Sequence, residues 1–351
     1  MRRTAMALAA AACVFGAAGF AWAQSAPISA AAIPKHPAEA SGLVPSTIMV
    51  GPDGSVAKML PTVPVAAARK AAGVGFANIL TYQGGPVMLP YIANYVIFWA
   101  PSALQNGGTT GYTPLYGTIT ILLNAWMPGH GLYNIHTQYY QVAGGTTTYL
   151  NNNGGLGAFF VDTGAYPASG CTTSAHPGGC VTDAQLRTRI AAVMTSQGWT
   201  GGMNKLFTIY TSSNEGVCFD AAGASCSNVQ FCGYHSYFTV GGQNVIYSVI
   251  PFSEQATCQG SGTMPNNDVG DLAASTQSHE MSEASTDPLI NAWYDTITGN
   301  ENGDNCAYNY GANTWTNPST GIAGNQFWNG WVFELQMEWD NHTNSCLRVG
   351  P

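Results

Sequence analysis

The sequence predicts a mixed α/β (or α+β) domain, and three observations carry that reading. Apolar runs of strand length recur at residues 95–99, 206–210 and 245–251. Stretches of helical periodicity with recognisable caps lie between and after them, near 113–126, 182–198 and 267–285. The two kinds of segment alternate along the chain, the pattern of helices packed on a sheet.

Each element has a local cause. Tyr95, Val96, Ile97, Phe98 and Trp99 form an unbroken apolar run, read as a buried strand. Thr113 before Pro114 suits a helix start, with Leu115, Ile119, Leu122 and Trp126 recurring on one face. The β-branched Thr and Ile residues there leave a strand open. Thr182 and Gln185 fit a capping box, Leu186, Ile190 and Val193 follow on one face, and Gly198 is placed to end the helix. Residues 206–210 and 245–251 then read as strands. Asn267 and Asp268 can cap a helix that runs to about Ser285 and stops before Pro288. Gly270, Ala273, Ala274, Ser275 and Ser278 make one side of it small, as suits a helix lying tight under a sheet.

Residues 1–23 carry Arg2 and Arg3, an apolar run and the small-x-small site Ala21-Trp22-Ala23, a secretory signal peptide by its pattern. Cys13 lacks a lipobox, so a lipid anchor is not expected. Residues 24–75 are rich in Ala, Pro and Ser and poor in aromatics, and read as a flexible leader or pro-segment. From 76 to 351, Trp, Tyr, Phe and Gly become frequent, over a length that suits one large domain. No later stretch approaches the about 18 apolar residues of a membrane helix. The mature chain is therefore expected outside the cytoplasm, extracellular or periplasmic, with no membrane span.

Without Cys13, eight cysteines remain: Cys171, Cys180, Cys218, Cys226, Cys232, Cys258, Cys306 and Cys346. An even number in an exported chain reads as disulfides. Cys171 and Cys180 make an attractive local pair, and the remaining connectivity stays open. No CxxC pair occurs, which disfavours a four-cysteine zinc site.

Charge is sparse and unevenly placed. Only 8% of residues are charged and the formal net charge is −8; removing Arg2 and Arg3 takes −8 to −10. Between Lys205 and Arg348 there is no Lys or Arg, yet that span holds fourteen Asp and Glu, eight of them from Asp268 to Asp304. Carboxylates without basic partners either stay solvated or bind cations. Nucleic acid is not expected as a partner, because phosphate neutralisation requires Lys and Arg.

The chemistry concentrates at His279-Glu280-Met281-Ser282-Glu283. His279 and Glu283, at i and i+4, project from one helix face, with Glu280 rotated by about 100°. The spacing resembles the HExxH of zinc peptidases, in which two His hold the metal and the Glu activates water. Here Glu283 stands where the second His would be, and a carboxylate can ligate zinc. Glu280, Glu283 and Asp287 also lie in or just past the half of the helix where its dipole disfavours anions, by about 0.3–1 kcal/mol each. A bound cation offsets that cost; the alternative is a solvated acidic face. In the loop 299–306, Glu301 comes first and Asp304 second as a third ligand, with Cys306 able to pin the loop. The cofactor is read as a divalent metal, zinc first with calcium open, although the loop does not follow EF-hand spacing. Asp287 before Pro288 is as much a turn-former as a ligand. His235, after Cys232-Gly233-Tyr234, reads more simply as a hydrogen-bonded structural His than as a ligand. His130 and His136, near Tyr133, Tyr139 and Tyr140, read as aromatic packing. Neither a GxSxG elbow nor a GxxxxGK[ST] or GxGxxG loop occurs.

Several of these runs fall in one order. Asn78-Ile79-Leu80-Thr81-Tyr82-Gln83-Gly84-Gly85-Pro86 precedes Val96, Phe98 and Trp99. Cys218 and Cys232-Gly233-Tyr234-His235 follow, then His279-Glu280-x-x-Glu283-Ala284-x-Thr286-Asp287-Pro288 with Asn291-Ala292-Trp293-Tyr294. Glu301-x-x-Asp304-x-Cys306 and Leu335-Gln336-x-Glu338-Trp339 through Cys346 complete the series. Across most of 78–346 this resembles the EXORDIUM-like (phosphate-induced) secreted proteins. The resemblance implies a secreted protein linked to the cell wall. It brings no catalytic residue with it, since the activity of that family is not firmly established. The Thr/Gly-rich 105–115 stretch and the long loop around 171–180 depart from the plant pattern.

Two functional readings are expected. The first is a secreted metal-dependent hydrolase, a zincin-like peptidase acting on a peptide or cell-wall polymer. In it His279 and Glu283 bind the metal, Glu301 or Asp304 completes the site, and Glu280 polarises the metal-bound water. The second is a non-enzymatic wall or matrix protein with a structural cation, whose Trp315, Trp328 and Trp331 contact polysaccharide. A catalytic ion needs an open position in a cleft, whereas a structural one is saturated and buried.

Overall fold

A seven-stranded mixed sheet forms the middle of the molecule. The structure, a computed structural model, describes residues 37–42, 46–74, 79–102, 104, 108–168, 170–171, 173, 176 and 178–350. The signal-peptide segment 1–23 lies outside the described residues. The sheet strands are β1 (Ile48–Val50), β2 (Val56–Pro61), β3 (Ile92–Trp99), β4 (Gly154–Asp162), β5 (Lys205–Tyr210), β6 (Phe231–Val240) and β7 (Gln243–Ile250). Their spatial order is β1-β2-β6-β7-β5-β3-β4. The first four in that order pair antiparallel, and β7, β5, β3 and β4 pair parallel. The β6–β7 hairpin turns at Gly241 and Gly242, with φ of 57° and 76°, the backbone that tight two-residue hairpins require.

Four helices flank the sheet: α1 (Val63–Ala71), α2 (Pro114–Trp126), α3 (Asp183–Gln197) and α4 (Gly270–Thr286). Strand alternation divides the core between the two faces. Phe207, Ile209, Val245, Tyr247 and Val249 pack with Leu186, Ile190 and Val193 of α3. Leu206 and Ile246 turn the other way, onto Ile119 and Leu123 of α2 and Ala274 and Met281 of α4. The α3 capping box and the left-handed Gly198 cap are present as expected. Residues 113–126 form a helix, with Thr113 as its cap. Its fully buried residues are Tyr116, Ile119, Thr120, Leu123 and Asn124; of the expected apolar stripe Ile119 is among them, and Leu115, Leu122 and Trp126 are half-buried against the same core cluster. Thr120 and Asn124 can be buried because each finds partners: Thr120 Oγ1 donates to the Tyr116 carbonyl at 2.9 Å, and Asn124 Nδ2 donates to Tyr210 OH at 3.0 Å.

All of α4 is buried. One side lies under the sheet, α2 packs along another, and small C-terminal hairpins add to the cover, formed by Gln326–Trp328 with Trp331–Phe333 and Glu338–Asp340 with Ser345–Leu347. A solvated acidic helix face is therefore excluded. Cys171–Cys180, the expected local pair, is joined by Cys218–Cys226, Cys232–Cys258 and Cys306–Cys346. Among the described residues no helix is long and apolar enough to cross a membrane.

The expectation of a flexible leader over 24–75 is corrected for residues 46–74. They supply β1, β2 and α1, and β2 pairs with β6 inside the sheet. The segment lacks aromatics because Met49, Ala57 and Met59 meet rings contributed from elsewhere, including Phe231 and Tyr234. Residues 24–36, 43–45 and 75 lie outside the described residues.

Candidate metal centre

Strand register sets the floor of the site. His235 on β6 pairs with Lys58 on β2 and with Ser248 on β7, so all three side chains leave the same face, toward α4. Ser248 Oγ donates to Gln277 Oε1 of α4 at 2.9 Å. Gly233 allows this close approach. A Cβ on it would lie 2.6 Å from Thr276 Cγ2 and 3.0 Å from Glu280 Oε1.

The helix supplies His279, Glu280 and Glu283 from its second half. Asp287 then ends it as a turn-former, its Oδ1 accepting the N–H groups of Asn291 and, at 2.6 Å, Ala292. The chain doubles back through 295–306, and the Cys306–Cys346 disulfide holds that loop. Gly303 brings the loop onto the helix: a Cβ there would be 2.7 Å from His279 Nδ1 and 3.0 Å from Glu283 Oε1.

Two triangles of donor atoms result. His279 Nε2 lies 3.0 Å from Glu283 Oε1, and the Asp304 N–H donates to that oxygen at 2.9 Å. Ligand atoms of His279, Glu283 and Asp304 all fall within 4.8 Å of one another, and so do those of His235, Glu280 and Glu283. His235 Nδ1 is 3.4 Å from Glu280 Oε2 and 3.5 Å from Glu283 Oε2. Glu301 Oε2 sits 3.8 Å from the other ring nitrogen, Nε2. A tetrahedral zinc shell separates neighbouring donors by about 3.3 Å, which these edges approximate.

His235, His279, Glu280, Glu283 and Glu301 are each 0% exposed. Both nitrogens of both histidines, both oxygens of Glu301, and Oε2 of Glu280 and of Glu283 have no aligned hydrogen-bond partner. So many orphaned buried polar atoms aimed at a common space are costly unless something binds there. Lys58, also fully buried, donates its ammonium to the Gly299 carbonyl and stands among the acids.

The electrostatics express the same conflict. Burial pushes the carboxyls of Glu280, Asp287 and Glu301 up, and that of Asp304 up to about 7. Burial acts on Glu283 in the same direction, but His279 and His235 outweigh it and hold its carboxyl well below the usual range. Burial would lower His279, yet Glu283 overrides it and pushes the imidazole up to about 10. His235 is raised in the same way against burial by Glu301, Glu280 and Glu283. With only protons to share, the cluster charges its histidines and neutralises most of its acids, work that a divalent cation can take over.

Of the residues singled out in the sequence, His279, Glu283 and Asp304 converge. Glu301 turns instead to His235, so that Asp304 and not Glu301 groups with His279 and Glu283. Glu280 faces the sheet, where the Leu60 N–H reaches its Oε1 at 3.4 Å. His235, read from the sequence as a hydrogen-bonded structural residue, joins the cluster, and Lys58 beside it was passed over, although a Lys inside the run Val56-Ala57-Lys58-Met59-Leu60 was a usable sign. His130 and His136 pack on aromatic rings as expected, 4.9 Å from Trp328 and 4.7 Å from Tyr133. His136 also lies 3.9 Å from Glu338, a buried carboxyl beyond α4. Trp328 is buried at 4% exposure, so it cannot serve as a surface contact. No protein-family model, curated protein or solved structure matches the chain.

Proposed function

We propose that this is an exported, wall- or matrix-associated protein whose domain closes around a divalent transition-metal ion held by His279, Glu283 and Asp304, the ion serving structure. Enclosure is the observation that carries this reading. The donor residues are sealed between sheet, helix and C-terminal hairpins, and His279 and Glu283 have no exposed surface. Among the described residues, a substrate carbonyl would reach an ion there only if the covering segments opened. Mixed imidazole and carboxylate donors suit zinc and its neighbours, whereas calcium prefers a shell of six to eight oxygens. The resemblance to EXORDIUM-like secreted proteins agrees with a wall location. Trp315, 49% exposed and stacked on Phe327 at 4.9 Å, offers the outer face an aromatic surface for polymer.

Elemental analysis of the purified mature protein tests the proposal. At least one equivalent of divalent metal per chain is expected in the wild type and less in His279→Ala, and chelation should lower the thermal midpoint. A metal-free wild type whose midpoint ignores chelator would end it.

A zincin-like peptidase is the second reading. One observation favours it: two ligands at i and i+4 of one helix, with Glu280 directly after the first. It requires the covering segments to open. On that reading Glu280→Gln abolishes hydrolysis of a peptide or wall polymer and leaves metal content unchanged. Identical behaviour of variant and wild type on a broad peptide panel would remove it.

A further inference from the structure

Glu283 offers its two oxygens to two different histidines. Oε1 lies 3.0 Å from His279 Nε2 and accepts the Asp304 N–H at 2.9 Å. Oε2 lies 3.5 Å from His235 Nδ1, and Glu280 Oε2 closes that triangle at 3.4 Å from the same nitrogen. Apart from Glu283 the two donor sets share no residue. One is built by the helix and the loop after it, the other by the helix and the sheet.

We propose that the centre holds two divalent cations bridged by the Glu283 carboxylate, the second bound by His235 Nδ1, Glu280 and Glu283. The inference rests on the metal reading above, to which it adds a site. A carboxylate that faces two donor sets through separate oxygens is the usual bridge of paired ions about 3.5–4 Å apart.

Three further features agree. The second set is as buried and as orphaned as the first: His235 is 0% exposed, and neither of its nitrogens has an aligned hydrogen-bond partner. Glu301, on the far side of that ring at 3.8 Å from Nε2, is placed to accept the Nε2 proton once Nδ1 faces an ion. A carboxylate in that position orients a metal-binding imidazole and strengthens it as a ligand. Glu301 is then a positioning residue for the second ion. Finally, each set has a glycine in its wall. A Cβ at Gly233 would press on Glu280 Oε1, and one at Gly303 on His279 Nδ1.

Charge also favours two ions over one. Among the described residues, Glu280, Glu283, Asp287, Glu301, Asp304 and Glu338 are six buried carboxyls on and beside α4; of the buried cations nearby, Arg69 is already paired with Glu39, which leaves Lys58. A single divalent ion with Lys58 offsets three of those charges; a second raises the number to five.

The test is zinc stoichiometry on the full mature chain, stripped with chelator, reloaded with zinc chloride and freed of excess by gel filtration. Two zinc per wild-type chain are expected, with one retained by His235→Ala, by Glu280→Gln and by His279→Ala. A wild type that binds one zinc overturns the two-ion centre and leaves the metal reading standing, whereas one that binds none overturns both. Two zinc in the wild type, both retained in His235→Ala, would mean that the second site is misplaced. Because a histidine substitution can cost folding, wild type alone supplies a second check with cobalt(II). Two binding steps are expected, and the paramagnetic resonance signal per cobalt should fall at the second through coupling across the shared carboxylate. A signal that simply doubles overturns the bridge.

Discussion

At Gly303 the distance between loop and helix comes down to a single missing carbon. The residue's φ is ordinary for any amino acid, −66°, so the requirement is for space alone. Gly303→Ala would put a methyl group 2.7 Å from His279 Nδ1 and 3.0 Å from Glu283 Oε1. Overpacking of that kind costs about 1–3 kcal/mol, and displacing a ligand's surroundings weakens a metal by about 10- to 100-fold. Zinc titration of the folded variant should show that loss, and an unchanged affinity would mean that the loop is free to shift. The members of the cluster that were legible in the sequence are the local ones. His279 and Glu283 follow from i, i+4 spacing, and Asp304 from a Gly/Asn loop next to a cysteine. His235 and Lys58 owe their place to cross-strand register, which no local pattern encodes. A lone histidine on an apolar strand looks the same whether it packs or ligates.

At the scale of the element, the cap and terminator of α3 read well at Thr182, Gln185 and Gly198, whereas the N-cap position of α4 falls at Val269, which makes no side-chain cap, and not at Asn267 or Asp268 as expected. Faces read less fully wherever buried polar groups satisfy one another: the expected stripe of α2 does pack on the core, but its deepest positions also include Thr120 and Asn124. The start of α4 carries a pH dependence of its own. Asp271 Oδ2 accepts the Asn266 N–H at 2.8 Å and Oδ1 accepts Asn266 Nδ2 at 2.6 Å, yet burial pushes its carboxyl up to about 7 from 3.8. The native state therefore keeps a proton that the unfolded chain gives up near pH 4. Between those values the unfolded state binds fewer protons, so this group makes stability fall as pH rises from about 4 to about 7. Urea unfolding across that range should show the slope in wild type and its reduction in Asp271→Asn. Equal slopes would assign it to another acid, Glu334 first, whose carboxyl is also raised to about 7 by burial.

For the whole molecule, the class was legible because strands and helices alternate with the right periods, and the disulfides because the cysteines beyond Cys13 are even in number. The strand order was not. It depends on which apolar runs find each other across the chain, and residues 46–74 were misread because their composition resembles that of a linker. Their inclusion has a kinetic consequence. Lys58 meets the Gly299 carbonyl and Leu60 meets Glu280 across 241 and 220 residues of sequence. Contacts of such span are slow to form, since the loops between them must close first. The acids are therefore expected to come together late, after the barrier, so that an ion bound there would have little to grip in the transition state. Refolding of the disulfide-intact protein should run at nearly the same rate with zinc or with chelator, while unfolding should slow markedly in zinc. Stopped-flow traces in both directions measure this, and a refolding rate that climbs with zinc would place the centre early instead. The ion, on this view, governs how long the native state lasts rather than how quickly it is reached.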